Sequence, residues 1–226
     1  MLVLLVGGGG HLDLNDKGCA NSLNGNVLFR MQPQFRKAGL VTVLVDSPSD
    51  FTGEEGLGGF RTSSEHAADL GRVFEAHRAR FKGAVWVVGH SRGTISAVNA
   101  AARLAGAGAP DGLILLSPML AGQANARKAW VKQSVFSVDL EKIKIPVLAI
   151  GHAADTCVRS PAKLLAEVIA KTESAREQVV TVTGGPVEPG RASELASCEV
   201  GYPHDFVSQE TAVAEGILRF IKGEKY

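Results

Sequence analysis

Short, wholly apolar runs recur along the chain at spacings too long for hairpins. They are Leu2–Val6, Val41–Val45, Ala84–Val88, Gly112–Leu116 and Pro146–Ile150, with a more mixed run at Gln178–Thr183. Most lack the alternation of a half-exposed strand, which predicts strands buried on both faces. Between them lie stretches with helical spacing, about Val27–Ala38, Ser64–Phe81, Thr94–Leu104, Pro161–Lys171 and Phe206–Ile221. In the second of these Leu70, Val73, Phe74, His77 and Phe81 share one face, so His77 reads as a helix-face residue. Ser63 and Ser64, followed by Glu65 and His66, supply its N-cap. Strand–helix alternation throughout predicts the α/β class: a doubly wound, mainly parallel sheet of about six strands with helices on both faces. Repeats, low-complexity tracts and linkers are absent, and the Gly/Pro-rich stretches Ser47–Gly59 and Gly184–Gly190 fall where loops belong. Residues 1–226 read as a single domain.

Composition narrows the function. With 226 residues, 45% hydrophobic and 21% charged, the chain can build one substantial core. A net charge of +1 gives no electrostatic case for nucleic acid. The densest basic stretch, Arg72 to Lys82, also contains Glu75 and reads as a solvated helix face. No apolar run approaches the ~20 residues of a membrane span. The first ten residues lack a basic region and read as a buried strand, not a signal peptide. A chain that opens directly into a core strand leaves open that a leader preceded it, so this end does not give the compartment.

The run Ala84–Val88 ends in Gly89-His90-Ser91-Arg92-Gly93, and a small-residue helix follows. This is the Gly-x-Ser-x-Gly pattern between a strand and a helix. Its glycines leave room for a strained turn that lifts the serine above the sheet at a helix N-terminus, where developing negative charge is favoured. Ser91 is therefore the candidate nucleophile.

A serine hydroxyl needs a base, and the base needs an orienting acid. Among the six histidines, His90 cannot turn back onto its neighbour's hydroxyl, and His152 directly ends a strand. His204 lies downstream of every candidate acid, in a loop before the last helix, and is the candidate general base. Of the aspartates between Ser91 and His204, Asp111 and Asp139 precede strands and belong to the wrong sheet edge. Asp155 follows a strand on the carboxyl edge and is the candidate acid, with Glu194 or Glu199 in reserve; its bland alternative is a turn or N-cap aspartate. An oxyanion hole needs two convergent N–H donors. Arg92 is expected to give one, and the Gly7–Gly10 run the other, through Gly8 and Gly9. Consecutive glycines do not match the spacing of a dinucleotide-binding loop.

The glycine loop, Gly89–Gly93, Asp155 in Gly-His-Ala-Ala-Asp and His204 before the last helix together resemble the α/β-hydrolase superfamily, over nearly the whole chain and in its order. Gly59–Ala67, Ser91–Ser96, Asp155-Thr-Cys157 and Cys198 shortly before His204 are similar to a group of poorly characterised, often exported bacterial hydrolases. The resemblance implies the fold and a Ser91–His204–Asp155 triad, but not the substrate. Two departures from it matter. The chain starts at the strand before the oxyanion loop. Only about Ala121–Lys144 occupies the position of a helical lid, room for a helix and little more, so an open site is expected.

Cys157 lies two residues after the candidate acid and Cys198 six before the candidate base. If both loops meet at Ser91, the sulfurs lie close. A Cys157–Cys198 disulfide would point to a periplasmic or secreted setting, and two free thiols to the cytoplasm. Cys19 is then the odd one out. Zinc held by two cysteines and His152 lacks ligand spacing, and no metal is expected. Arg61 and Arg92 are loop cations at the carboxyl edge; either binds a substrate carboxylate or pairs with an acid such as Asp46 or Glu65. Trp130 lines the pocket or covers the core, and Trp86 packs in it.

The sequence thus predicts a single-domain serine hydrolase, foremost a carboxylesterase cleaving small or accessible acyl esters through an acyl-enzyme, with no cofactor. A thioesterase, lactonase or acyltransferase shares the same residues. A catalytically silent binding protein is the rival from another class.

Overall fold

The computed structural model of the chain describes residues 1–53, 55–186 and 195–226. Among these, six strands form one sheet: β1 (Leu2–Leu5), β2 (Thr42–Leu44), β3 (Trp86–His90), β4 (Gly112–Leu116), β5 (Val147–His152) and β6 (Glu177–Val182). Their order is β2-β1-β3-β4-β5-β6, and every neighbouring pair is parallel. The helices are α1 (Val27–Lys37), α2 (Ser64–Phe81), α3 (Gly93–Arg103), α4 (Leu165–Ala170) and α5 (Glu210–Ile221). No helix of the described residues is long and apolar enough to cross a membrane.

The side chains of the central strands divide between two cores. Leu2, Leu4, Trp86, Val88, Ile114 and Leu116 face α1 and α5. Val3, Leu5, Val87, Leu113 and Leu115 face α2, α3 and α4. Both faces of these strands are covered, which is why their sequence runs are apolar at every position. The edge strand β6 is the exception and alternates between exposed and half-buried residues.

The chain leaves β1 towards β2, then crosses back past β1 to β3. The loops after β1 and β3 therefore part company at the carboxyl ends of adjacent strands. Such a switch point opens a crevice in a parallel sheet. Gly7–Gly10 follows one strand and Ser91 the other.

Boundaries moved where tertiary contacts override local pattern. β3 starts two residues late and runs to His90, because His90 pairs with Leu116. The helix expected over Pro161–Lys171 divides into a 3-10 turn, Ala162–Leu164, and the short α4. The last helix begins at Glu210 instead of Phe206, since Pro203–Asp205 forms a 3-10 turn and Phe206 adopts a left-handed φ of 49°. The segment between β4 and β5 holds no α-helix. It forms three 3-10 turns, Ala129–Lys132, Val135–Ser137 and Leu140–Lys142. Ser63 caps α2 as expected, accepting from the His66 N–H at 3.0 Å.

The start of α3 passes close under β1. A Cβ at Gly93 would sit 2.0 Å from the Leu5 carbonyl oxygen, against main chain that cannot swing aside. Gly93→Ala should cost about 3 kcal/mol or prevent folding, as forced overpacking of rigid backbone does. Gly53, whose Cβ would meet nothing within 4 Å, is the control, and its alanine variant should lie within about 0.5 kcal/mol of the parent. Urea unfolding of the two variants checks the contrast.

Candidate active site

Ser91 leaves β3 in a left-handed conformation, φ 51°. For a non-glycine residue this costs on the order of 1–2 kcal/mol and needs support from its surroundings. Its N–H donates to the Leu116 carbonyl at 3.0 Å, and its own carbonyl accepts from the Thr94 N–H at 3.0 Å and the Thr94 hydroxyl at 2.5 Å. The Thr94 hydroxyl accepts in turn from the Met119 N–H at 3.1 Å, tying the turn to the segment after β4. The glycine loop closes from the other side. A Cβ at Gly7 would lie 2.9 Å from the Ser91 Cβ.

Asp155 sits in the loop after β5, and His204 in the turn before α5. The Asp155 Oδ2 and His204 Nδ1 are 2.9 Å apart, with both side chains buried. Asp155 Oδ1 accepts from the Cys157 N–H at 2.8 Å, so both carboxylate oxygens are engaged. A carboxylate opposite Nδ1 places the imidazole proton there and leaves Nε2 as the acceptor. That Nε2 is buried and makes no hydrogen bond.

His90 latches the serine turn to the histidine turn. Its Nε2 lies 3.1 Å from the His204 carbonyl oxygen and its Nδ1 2.8 Å from the Asn26 amide nitrogen. A carbonyl only accepts, so Nε2 carries the proton and Nδ1 accepts from Asn26. Burial, only partly offset by Asp205, pushes the His90 imidazole down to about 4, and it stays neutral. Asp205, 1% exposed, accepts from the Val27 N–H at 2.9 Å and from Arg30 at 2.6 Å.

Arg61 does not face the cleft, contrary to a substrate-binding role. It is 1% exposed and donates to the Ser96 hydroxyl and to the Val6 and Gly8 carbonyls. It props the glycine loop from behind. Nor does it pair with Asp46, which accepts from the Leu12, Leu14 and Ser47 N–H groups and contacts His11. Burial lowers the Arg61 guanidinium to about 9, and burial with the Arg61 charge pushes the neighbouring His66 down to about 3.

Ser91 opens into a cleft of about 430 Å³. Gly7, Gly8, Asn26 and His90 lie beside it. Arg92, Met119, Trp130 and Arg159 also line it, with Arg92 stacked on Trp130, and Leu23, Leu195 and Val200 contribute apolar groups. Gly8, Arg92 and Trp130 therefore line the cleft. Gly9 is not among the lining residues, and its carbonyl accepts from the Leu57 N–H. Glu199 lines the cleft as an exposed residue, while Asp155 holds the histidine. Glu194 lies outside the described residues. The sequence reading missed Asn26, Asp205 and Arg159. Asn26 had a readable signal, an N-cap residue directly before the predicted helix at Val27. Asp205 had only its place beside His204, and Arg159 none.

Cys157 and Cys198 are joined in a disulfide that ties the Asp155 loop to the His204 loop across a sequence separation of 41. Cys19 is free and exposed. Asp155, Cys157 and His204 lie close enough to suggest a metal site. The Cys157 sulfur is spent in the bridge, however, and His152 Nε2 lies against the Gly184 carbonyl. These donors are committed elsewhere.

Two predictions follow from this geometry. Closing a loop of this length stabilises the fold by about 4 kcal/mol in the chain-entropy account. Cys157→Ser/Cys198→Ser, or reduction, should therefore lower Tm and loosen the histidine turn together. Thermal unfolding with and without reductant checks it, and an unchanged Tm would contradict it. The second concerns pH. His90 and His66 have folded values below the usual ~6.5, so the unfolded chain binds more protons. Their stability contribution is present above about pH 6.5 and is lost as pH falls towards 4 and 3. His90 alone should cost roughly 2 kcal/mol between pH 7.5 and 5. Urea unfolding at the two pH values measures it; equal stabilities would mean that these imidazoles are protonated in the fold.

No protein-family model matches the chain, and no curated relative matches it in sequence. Solved structures do. VinJ superposes with a TM-score of 0.63 at 11% identity, covering 98% of this chain and 90% of that one. Est1E from Butyrivibrio proteoclasticus, solved with ferulic acid bound, gives 0.62 at 18% identity, covering 98% and 89%. An esterase from Pyrococcus furiosus gives 0.55 at 14%, covering 99% and 82%. With its parallel sheet, switch-point crevice and serine turn after β3, the chain has the α/β-hydrolase fold.

Proposed function

We propose that the protein is a serine hydrolase of ester bonds, a carboxylesterase acting on accessible acyl esters. The observation that carries this reading is the Asp155–His204 hydrogen bond at 2.9 Å, which leaves His204 Nε2 without a partner on a turn latched to the serine elbow. Solved structures of similar fold include esterases and lipolytic enzymes, which supports the reaction class.

In this reading Ser91 Oγ attacks the ester carbonyl while His204 Nε2 takes its proton. Asp155 holds the imidazole in the productive tautomer and stabilises the imidazolium. The N–H groups of Gly8 and Arg92 receive the oxyanion, in a site where the elbow's helix N-terminus adds favourable field. His204 returns the proton to the leaving alcohol. Water then attacks the acyl-Ser91 ester with His204 as base, releasing the acid and restoring the serine. Water is the only co-reactant. The segment between β4 and β5 lacks the α-helix of a lid, so small soluble esters should enter without an interfacial step. The disulfide favours an oxidising compartment.

Ser91→Ala should reduce turnover of p-nitrophenyl esters by on the order of 10⁶ and abolish labelling by a fluorophosphonate probe. Asp155→Asn should cost roughly 10⁴ in turnover through the wrong tautomer. An ester panel of increasing acyl length, run on the parent and both variants, tests the reading. Substantial hydrolysis by Ser91→Ala would place the nucleophile elsewhere. Near-parental activity of Asp155→Asn would remove the acid.

A further inference from the structure

The cleft holds two guanidinium groups that, among the described residues, form no salt bridge. Arg92 stacks on Trp130, 4.0 Å from the ring centroid, and its Nε is buried without a hydrogen-bond partner. The ring is pinned by Nε1 donating to Glu55 at 2.7 Å. Arg159 gives one side-chain hydrogen bond, to the neutral Gln123 amide oxygen at 2.8 Å. Among the described residues neither arginine forms a salt bridge. Arg30 and Arg78, also partly buried, each hold an aspartate. A guanidinium has five donors in a fork suited to a carboxylate, so most of this capacity is unspent.

The two cations also oppose each other. Burial and the charge of Arg159, against a smaller pull from Glu55, lower Arg92 to about 10, which leaves it charged at neutral pH. Most of the other charged groups described around the cleft are already answered. Asp205 is neutralised by Arg30. Glu55 is bound to Lys128 and Trp130. His90 is neutral, and Glu199 is exposed. The apolar lining lies around another loop: Leu23 packs at Gly8, and Val200 packs at Gly25.

We propose that the substrate is an ester that also carries a carboxylate, seated between Arg92 and Arg159, with its apolar part against Leu23 and Val200. This rests on the hydrolase reading above and adds a charge requirement to it. Two like charges converging on one open cleft are costly to maintain unless an anion joins them. A carboxylate takes paired N–H donors from such a site, whereas a neutral ester would leave them with water.

The test separates binding from turnover. Trp130 lines the cleft and Trp86 is buried in the core, so tryptophan fluorescence reports occupancy. Titration with 4-phenylbutyrate and with its amide, neither of them an ester, on the Ser91→Ala variant compares the anion with a neutral isostere without turnover. The carboxylate should bind at least about tenfold tighter, as for a charge-assisted bond at a partly buried site. The preference should shrink in Arg159→Gln, in Arg92→Gln, and in high salt. Equal binding of acid and amide, failure of the acid to bind, or a preference that survives both substitutions would overturn the proposal. In parallel, p-nitrophenyl hydrogen glutarate is compared with its methyl ester. Cleavage of both with no carboxylate preference would remove the anion subsite and leave the hydrolase. A carboxylate preference in binding with cleavage of neither would do the reverse.

Discussion

Everything at the site depends on a buried carboxylate that does no chemistry in the proposed reaction. Asp205 sits beside His204 and makes three bonds to α1: it caps the first N–H of the helix at Val27, its carboxylate pairs with Arg30, and its carbonyl accepts from the same Arg30 at 2.6 Å. Buried ion pairs add little net stability, because desolvation offsets attraction, but removing one partner is severe and the geometry they demand is narrow. Here that geometry fixes the histidine turn against α1, nearly 180 residues away in sequence (Asp205 and Val27 are 178 apart). The His204 ring then has one place to go, onto Asp155.

The serine side is built by the opposite means, close contact between groups that have no side chains. α3 meets β1 where Gly93 lies against the Leu5 carbonyl, and the glycine loop folds over Ser91 at Gly7. This removes volume where the proposed oxyanion donors would converge, and it needs something behind the loop to stop it collapsing outwards. Arg61 fills that role. Among the described residues its buried cation meets no carboxylate, yet its donors meet Ser96, Val6 and Gly8. The arrangement spends carbonyl lone pairs on the side away from the cleft and sets a positive charge behind the loop that the proposed oxyanion would face.

These two constructions explain what the sequence made legible. Continuous apolar runs announced buried parallel strands, because burial on both faces constrains every position. The elbow was readable since its turn tolerates so few residues. Asp155 was singled out by its place after a strand and His204 by lying downstream of every candidate acid, and the two side chains meet at 2.9 Å. The disulfide remained one of two alternatives, since spacing does not fix how close two loops come. Arg61 was misplaced because a loop cation at the carboxyl edge can point inward as easily as out, and only the depth of the Ser96 side of α3 decides. Asp205 and Asn26 work through partners far away in sequence, and such pairings leave no local pattern. The segment between β4 and β5 formed 3-10 turns where a helix would fit, because its anchors are tertiary: Leu120 and Ala121 donate to the Arg159 carbonyl, and Val135 to that of Met119.

That contrast also explains why chemistry was easier to read than specificity. The residues of the proposed triad stand on strand ends and tight turns, held by backbone bonds, a buried ion pair and a covalent bridge. The walls that would choose a substrate come from segments with little regular structure: the stretch that carries Met119 and Trp130, the loop that carries Arg159, and the run from Leu195 to Val200. Their composition can change without disturbing the sheet, so no periodicity marks them. Arg92 belongs to both sets. Its backbone is fixed by the elbow, while its side chain lies on Trp130 in the variable wall. The residue that follows the proposed nucleophile is thus also one of the two, with Arg159, through which the wall would sense a substrate's charge in the reading proposed above.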